Sequence, residues 1–343
     1  MTLPATMCAV QLVVHGGPEA LRWRDDLPLP KPAAGEALVQ VLAAGVNMTD
    51  VNTRIGWYAA DGQGGWAGAM ALPRIQGADL CGSVVAHGPG VTVPPLGARV
   101  ICSTCQPEPT PENSMAIRVI GSEYDGAFAQ FCAVPARYLH DVSASPLSDT
   151  EIGGMPCAFG TANNMLHRAG LQAGERVLVT GASGGVGLAA VQLAALQGAS
   201  VTGQCSVAKA GAVAAAGATV LDRDATPAPD SFDLVIDVVG GPGWASRLNA
   251  LCPGGRYATA GAVGGPEVTG DLRVIYLKDL TLYGCTNQSE AGFAALVAAI
   301  NRGTLRPLIS RTYPLRDIAT AQADLVAGRY PGKLVLLPPE LAA

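Results

Sequence analysis

Charge is scarce in this sequence: 14% of its 343 residues are Asp, Glu, Lys or Arg, and lysine occurs only at Lys31, Lys209, Lys278 and Lys333. The 22 Lys and Arg are spread along the chain against 27 Asp and Glu, for a net charge of -5. With no basic cluster to neutralise a phosphate backbone or an anionic bilayer, neither nucleic acid nor a membrane surface is expected as a partner. A spanning segment is also missing, because the apolar stretch from Leu188 to Ala195 is interrupted by Gln192 and is too short. Met1 to Val14 lacks a basic segment followed by a long apolar one, so no signal peptide is expected. The nine cysteines are odd in number and form no dense framework, which fits a reduced, cytoplasmic protein. A hydrophobic content of 49% excludes a disordered chain, and the length suggests about two domains.

What is present changes character along the chain. From Met7 to about Val134, short apolar runs such as Leu38 to Leu42, Gly82 to Ala86 and Ala98 to Ile101 alternate with Gly and Pro turns. This predicts an antiparallel β domain. Cys105 to Pro111 is proline-rich and reads as a loop. Ser148 followed by Glu151 predicts a capped helix start. From Arg176 onward strands and helices alternate. Strands are expected at Arg176 to Thr180, Ala199 to Gly203, Phe232 to Val239, Gly255 to Thr259 and Leu280 to Gly284, with helices at Gly187 to Leu196 and Ala208 to Ala216. That alternation builds a doubly wound parallel sheet, so the fold class is α/β. Two further helices, Glu290 to Arg302 and Asp317 to Ala327, and a strand at Lys333 to Leu337 close the chain.

The most informative segment is Val179 to Gly187, a glycine-rich turn between a strand and a helix. Gly184 lets the backbone approach a pyrophosphate and Gly187 lets the helix pack on the strand, while the helix start offers N–H groups to the phosphates. Ala182, Ser183, Gly185 and Val186 complete this candidate cradle. The strand ends that follow add Val239, Gly240, Gly261 and Cys285. A carboxylate that would bind ribose hydroxyls is missing, since no acidic residue occurs between Glu175 and Asp222. Ser206 and Lys209 follow the second strand and suit a 2′-phosphate, so NADP(H) is the expected cofactor.

Taken together, Ala44 to Asp50, Arg54 to Tyr58, Gly77 to Val84, Gly126 to Phe131 and Gly332 to Leu336 resemble blocks of the medium-chain dehydrogenase/reductase superfamily. The resemblance runs from Met7 to Leu336 and favours its zinc-independent, quinone oxidoreductase-like branch. It implies a GroES-like catalytic domain from residues 1–133 and 287–343, with a Rossmann domain at 134–286, and a homodimer joined along the Rossmann sheet edge. The short-chain dehydrogenases share the glycine spacing, but they need a Tyr four residues before a Lys. No tyrosine here meets that, and Tyr330 precedes Lys333 by only three.

Zinc-dependent members hold their catalytic metal through Cys, His and Cys. The matching positions here are Asn47, Ala78 and Cys157, which leave a single ligand, and Cys102 and Cys105 alone fall where a structural zinc lobe would lie. The resemblance therefore implies reduction of a quinone or an α,β-unsaturated carbonyl, which demands no Lewis acid. It places Tyr58 as the catalytic tyrosine, Asn47 beside it as a polar residue of the reaction site, and Thr161 against the nicotinamide or its ribose. Two segments, 59–71 and 103–122, exceed the spare family pattern, and Trp66 or Tyr124 is expected to shape a lid over the substrate. The alternatives are an alcohol dehydrogenase with atypical metal ligands and a non-catalytic NADPH-binding protein of the crystallin or vesicle-protein kind.

Overall fold

The computed structural model describes residues 3–58 and 70–341. Trp66 and most of the first inserted segment lie outside the described residues. The chain forms two compact units, Met1–Cys157 with Ala294–Ala343, and Ala158–Phe293.

The first unit is the expected β domain, antiparallel except that Ile309–Pro314 pairs in parallel with Lys333–Leu337. Its seven-stranded sheet is ordered Leu139–Asp141, Arg99–Cys102, Cys81–His87, Glu36–Gly45, Lys333–Leu337 and Ile309–Pro314, with Phe131–Pro135 also paired to Glu36–Gly45. The sequence explains the centre of this sheet. Ala37, Leu38, Val39, Val41 and Ala44 of Glu36–Gly45, buried on both faces of the strand, share one core cluster with Ile75, Leu80, Val100 and Phe131. The chain end returns to pair with this strand, Val335 opposite Gly45 and Leu336 opposite Ala44, so one domain is built from both ends of the chain.

Both unit boundaries lie later than residues 134 and 287. Phe131–Pro135 and Leu139–Asp141 pair with strands of the first sheet, which carries the chain back into the first unit before it leaves at Cys157. Ser148 then caps the helix Asp149–Gly153 as expected: Ser148 Oγ accepts from the Glu151 N–H at 3.3 Å, and the Glu151 carboxylate accepts from the Ser148 N–H at 2.9 Å. The proline-rich loop is in part a strand. Cys105–Pro107 pairs antiparallel with Ile117–Val119, a non-local pairing that local composition conceals.

The second unit holds a six-stranded parallel sheet ordered Thr219–Asp222, Ser200–Cys205, Arg176–Val179, Phe232–Asp237, Leu251–Thr259 and Thr281–Gly284. In sequence order this is 3-2-1-4-5-6, which places the switch in winding between Arg176–Val179 and Phe232–Asp237. Thr219–Asp222 was not among the expected strands. Ser200–Cys205 runs two residues beyond its expected end, and Phe232–Asp237 stops two residues short of its own.

Candidate active site

Ligands of an open parallel sheet bind outside the carboxyl ends of its strands, at the point where the winding switches. In the second unit that point is built from glycine. Gly181 takes φ +55, a conformation that side chains resist, and turns the chain out of Arg176–Val179. A Cβ at Gly187 would meet the Gly181 carbonyl oxygen at 2.2 Å, so the helix Gly185–Leu196 packs onto the turn only because residue 187 has none. At Gly184, the residue before this helix, an added Cβ would meet only Gly181 O, at 3.4 Å. Protein atoms thus close the space at Gly187 and leave it open at Gly184, as a pyrophosphate lying against the backbone requires. The cradle fits a dinucleotide, and Ala182, Ser183, Gly185 and Val186 line the same turn and first helical residues.

A residue absent from the sequence expectations organises this end of the sheet. Asp237, the last residue of its strand and wholly buried, accepts hydrogen bonds from Thr180 Oγ1, the Tyr257 hydroxyl and Arg247 Nη1 (2.9 Å). It also accepts from the backbone N–H groups of Val239 (2.8 Å) and Gly240 (3.2 Å). Burial alone would raise its carboxyl, but the two hydroxyls and the guanidinium outweigh burial and hold it below the usual carboxylate range. Asp237 thereby ties the glycine turn to the Val239–Gly240 segment. Gly240 (φ +63) and Gly241 (φ +65) continue that segment past Gly264 and Gly265. Gly261 follows Leu251–Thr259, and Cys285 follows Thr281–Gly284 with its N–H on Thr259 O at 2.9 Å, so every expected strand-end residue is at a carboxyl end.

Ser206 directly follows Ser200–Cys205. In the parallel pairing Cys205 lies opposite Asp222, so Ser206 and Arg223 leave neighbouring strands side by side. Burial, and then the positive charge of Arg223, lower the Lys209 ammonium from its ordinary value. Two cations therefore converge beside Ser206, while the Asp222 carboxylate is engaged by the Asp224 N–H at 2.9 Å. Arg223 was missed in the sequence because the strand before it was missed.

The expected catalytic residues belong to the first unit. Asn47, 7% exposed, precedes the helix Met48–Arg54, and its N–H donates to Asp50 Oδ2 at 2.8 Å. Its side chain is already engaged: Nδ2 donates to Asp79 Oδ2 (2.9 Å) and Oδ1 accepts from Lys333 Nζ (2.5 Å). Asp79 Oδ1 also accepts the Cys157 N–H at 2.6 Å. The three positions that match zinc ligands thus do come together, around Asp79. They do not fit the metal: Ala78 offers no donor, the Asn47 oxygen is bound to an ammonium, and Cys157 is the single thiol. Burial first and then Asp79 push that thiol well above its ordinary value, with Lys333 opposing. Among the described residues no group of three or more His, Cys, Asp or Glu is arranged to hold a metal ion. Asp50 accepts a further hydrogen bond from the Ala78 N–H (3.2 Å) and is pushed up to about 7, chiefly by burial.

Tyr58 is partly buried, and its hydroxyl accepts from Asn52 Nδ2 at 3.2 Å. Burial is the main cause of a raised hydroxyl pKa, with smaller contributions from the Cys157 and Cys105 thiols, so the group keeps its proton at neutral pH and can donate it in a hydrogen bond. Thr161 lies in the second unit on the helix Pro156–Arg168, half-buried. Tyr124 is not a lid. Its ring packs on the core of the first unit beneath the Arg118 guanidinium, and its hydroxyl accepts from Gln106 Nε2 at 2.6 Å, which fixes it in place. Asp79 and Lys333 stood inside recognisable blocks of sequence, but a lone carboxylate and a lone ammonium 254 residues apart give no sign that they pair.

Residues 33–144 match the alcohol dehydrogenase GroES-like domain family, and residues 211–336 a zinc-binding dehydrogenase family. A quinone oxidoreductase of Rattus norvegicus is 30% identical, covering 96% of this chain and 98% of that protein. An acryloyl-coenzyme A reductase of Metallosphaera sedula is 31% identical over 95% of this chain and 98% of its own. Among solved structures, a Sinorhizobium meliloti chain assigned to the alcohol dehydrogenases superposes with a TM-score of 0.90 at 40% identity, covering 98% of both chains.

Proposed function

This chain belongs to the medium-chain dehydrogenase/reductase superfamily and is a nicotinamide-dependent oxidoreductase, and from that premise we propose that it reduces quinones or α,β-unsaturated carbonyl compounds with NADPH. The observation that carries the reading is that Asn47, at a position where zinc-dependent members have a metal ligand, has its amide committed to Asp79 and Lys333. Two of its relatives, by name, act on acceptors with a conjugated double bond, a quinone and an acryloyl thioester.

When bound, NADPH supplies a hydride to the β-carbon of the acceptor, and the displaced π electrons move through the conjugated system onto the carbonyl oxygen. The chain's own residues then need only position groups and stabilise that oxygen. Gly184 and the first N–H groups of the helix Gly185–Leu196 hold the pyrophosphate, and Ser206, Lys209 and Arg223 hold the 2′-phosphate. Thr161 lies against the nicotinamide or its ribose. Tyr58, protonated at neutral pH, donates a hydrogen bond to the carbonyl oxygen as charge builds there. Asn47 acts from behind as a positioning group, since its amide is committed to Asp79 and Lys333. One proton from solvent completes the reduction: at the α-carbon of an enone, or, for a quinone, at one oxygen while the proton on the carbon that received hydride shifts to the other oxygen and restores the aromatic ring.

The test is NADPH oxidation, followed at 340 nm in the presence of a chelator, with 1,4-benzoquinone, a simple enone and crotonyl thioester as acceptors. Turnover of at least one, undiminished by the chelator, is the expected result. Activity that appears only when zinc is added would favour the second reading, an alcohol dehydrogenase with atypical ligands, which the likeness to the Sinorhizobium meliloti structure keeps in view.

A further inference from the structure

At one of the three metal-ligand positions, Asn47, the chain places a cation of its own. Lys333 is 5% exposed, and its ammonium donates to three oxygens: Asn47 Oδ1 at 2.5 Å, Asp79 Oδ2 at 3.0 Å and Val46 O at 3.0 Å. Three donors meet three acceptors, so the group is fully satisfied. Asp79 is wholly buried and has both oxygens in use, one on Lys333 and Asn47, the other on the Cys157 N–H. Gly45 makes room for it, since a Cβ there would stand 2.3 Å from Asp79 Oδ2.

Stability alone is a weak explanation for such an arrangement. Taking two charges out of water costs several kcal/mol per ion, roughly what their attraction returns, and a well-packed apolar pair often does as well or better. What the pair supplies that an apolar pair cannot is a fixed positive charge against the Asn47 amide. It also supplies a fixed carboxylate that anchors the second residue of the helix Pro156–Arg168.

We infer that Lys333 is a positioning residue for the reduction, its ammonium fixing Asn47 and Asp79 in one arrangement, the rigidity that zinc-dependent members of the superfamily draw from their metal. Lys333 touches neither acceptor nor cofactor. It holds Asn47 in one rotamer, with its own charge balanced by Asp79, so that the groups facing the acceptor oxygen stay in place as negative charge develops there. The inference rests on the reductase reading above and adds to it the residue that holds Asn47 and Asp79 in place.

Three variants test it: Lys333→Met, Lys333→Arg, and the double variant Asp79→Asn/Lys333→Met, which leaves no unpaired charge in the interior. For Lys333→Met the expected result is a kcat roughly ten- to a hundredfold lower, with the dissociation constant of NADPH, read from its fluorescence, within about twofold of the parent. Lys333→Arg keeps the charge and should recover most of kcat. The double variant should regain the melting temperature lost by Lys333→Met without regaining kcat. A double variant with parental kcat would overturn the inference, because the pair would then serve folding alone. If the methionine variants fail to fold, Lys333→Arg decides alone: recovery to within about fivefold supports the charge, and a loss as deep as hundredfold in a folded protein contradicts it. Failure of the parent protein itself to reduce any conjugated acceptor would instead count against the reductase reading.

Discussion

Replacing both Lys209 and Arg223 by alanine should raise the KM for NADPH about a hundredfold or more while leaving the KM for NADH within a few-fold. Each hydrogen bond from a charged group to phosphate contributes about 1.5–3 kcal/mol, and two such bonds lost together give a change of that order. The placement is set by the sheet. Cys205 and Asp222 are opposite each other in adjacent parallel strands, so the residues that follow, Ser206 and Arg223, emerge together, with Lys209 three residues beyond Ser206. Burial, and then the Arg223 charge, lower the Lys209 ammonium from its ordinary value. An anion between them would relieve that repulsion. Single variants should each show part of the effect. Equal losses for NADPH and NADH would mean that these residues hold up the fold and do not read the phosphate.

The second large effect is expected at Asp237. Removing one partner of a buried, hydrogen-bonded ion pair costs about 3–5 kcal/mol, because the other charge is left without compensation. Asp237→Ala would strand Arg247, 8% exposed, whose Nη1 also donates to the Gly240 carbonyl at 2.7 Å. It would also release the Val239 and Gly240 N–H groups, in the strand-end segment proposed to hold the cofactor. Calorimetry should show a melting temperature lower by about 6–20 °C, at about 2–4 °C per kcal/mol. NADPH binding should weaken at least tenfold in the protein that remains folded. The pH dependence carries a sign. The folded carboxyl titrates below its unfolded value of 3.8, so its contribution is present above that pH and is lost as pH falls through the folded value. The stability gap between the parent and Asp237→Asn should therefore narrow on the acid side. A gap that widens there, or a variant as stable as the parent, would remove Asp237 from its place as the tie between the strand ends.

How far the sequence could be read depended on whether a feature was local. Gly181 to Gly187 was legible because its reasons are local: a positive φ at Gly181 and a helix too close to the turn for a Cβ at Gly187. The Ser148 cap was legible for the same reason, both partners lying within four residues. The strand Thr219–Asp222 was not, since four half-exposed residues at a sheet edge carry almost no apolar pattern. Its loss hid Arg223. Asn47 was expected among the site residues, but its hydrogen-bond partners Asp79 and Lys333, 32 and 286 residues away, were not, because a pairing at that distance leaves no periodicity to read. Tyr124 shows the opposite error. An aromatic residue beside an inserted segment suggested a mobile cover, whereas its hydroxyl is anchored on Gln106 and its ring on the core. Asp237 was visible as a charge at the end of an apolar strand, a pattern that deserved a functional reading and received only a structural one.

The most direct measurement of the central claim follows the hydride itself. NADPH carrying deuterium at the transferred position of C4 is turned over with a simple enone, and the product is examined by NMR. A saturated ketone with deuterium at the β-carbon is the predicted result, since the chain is read as adding hydride to the conjugated carbon. An allylic alcohol with deuterium on the former carbonyl carbon would contradict it and show the chain to be an alcohol dehydrogenase.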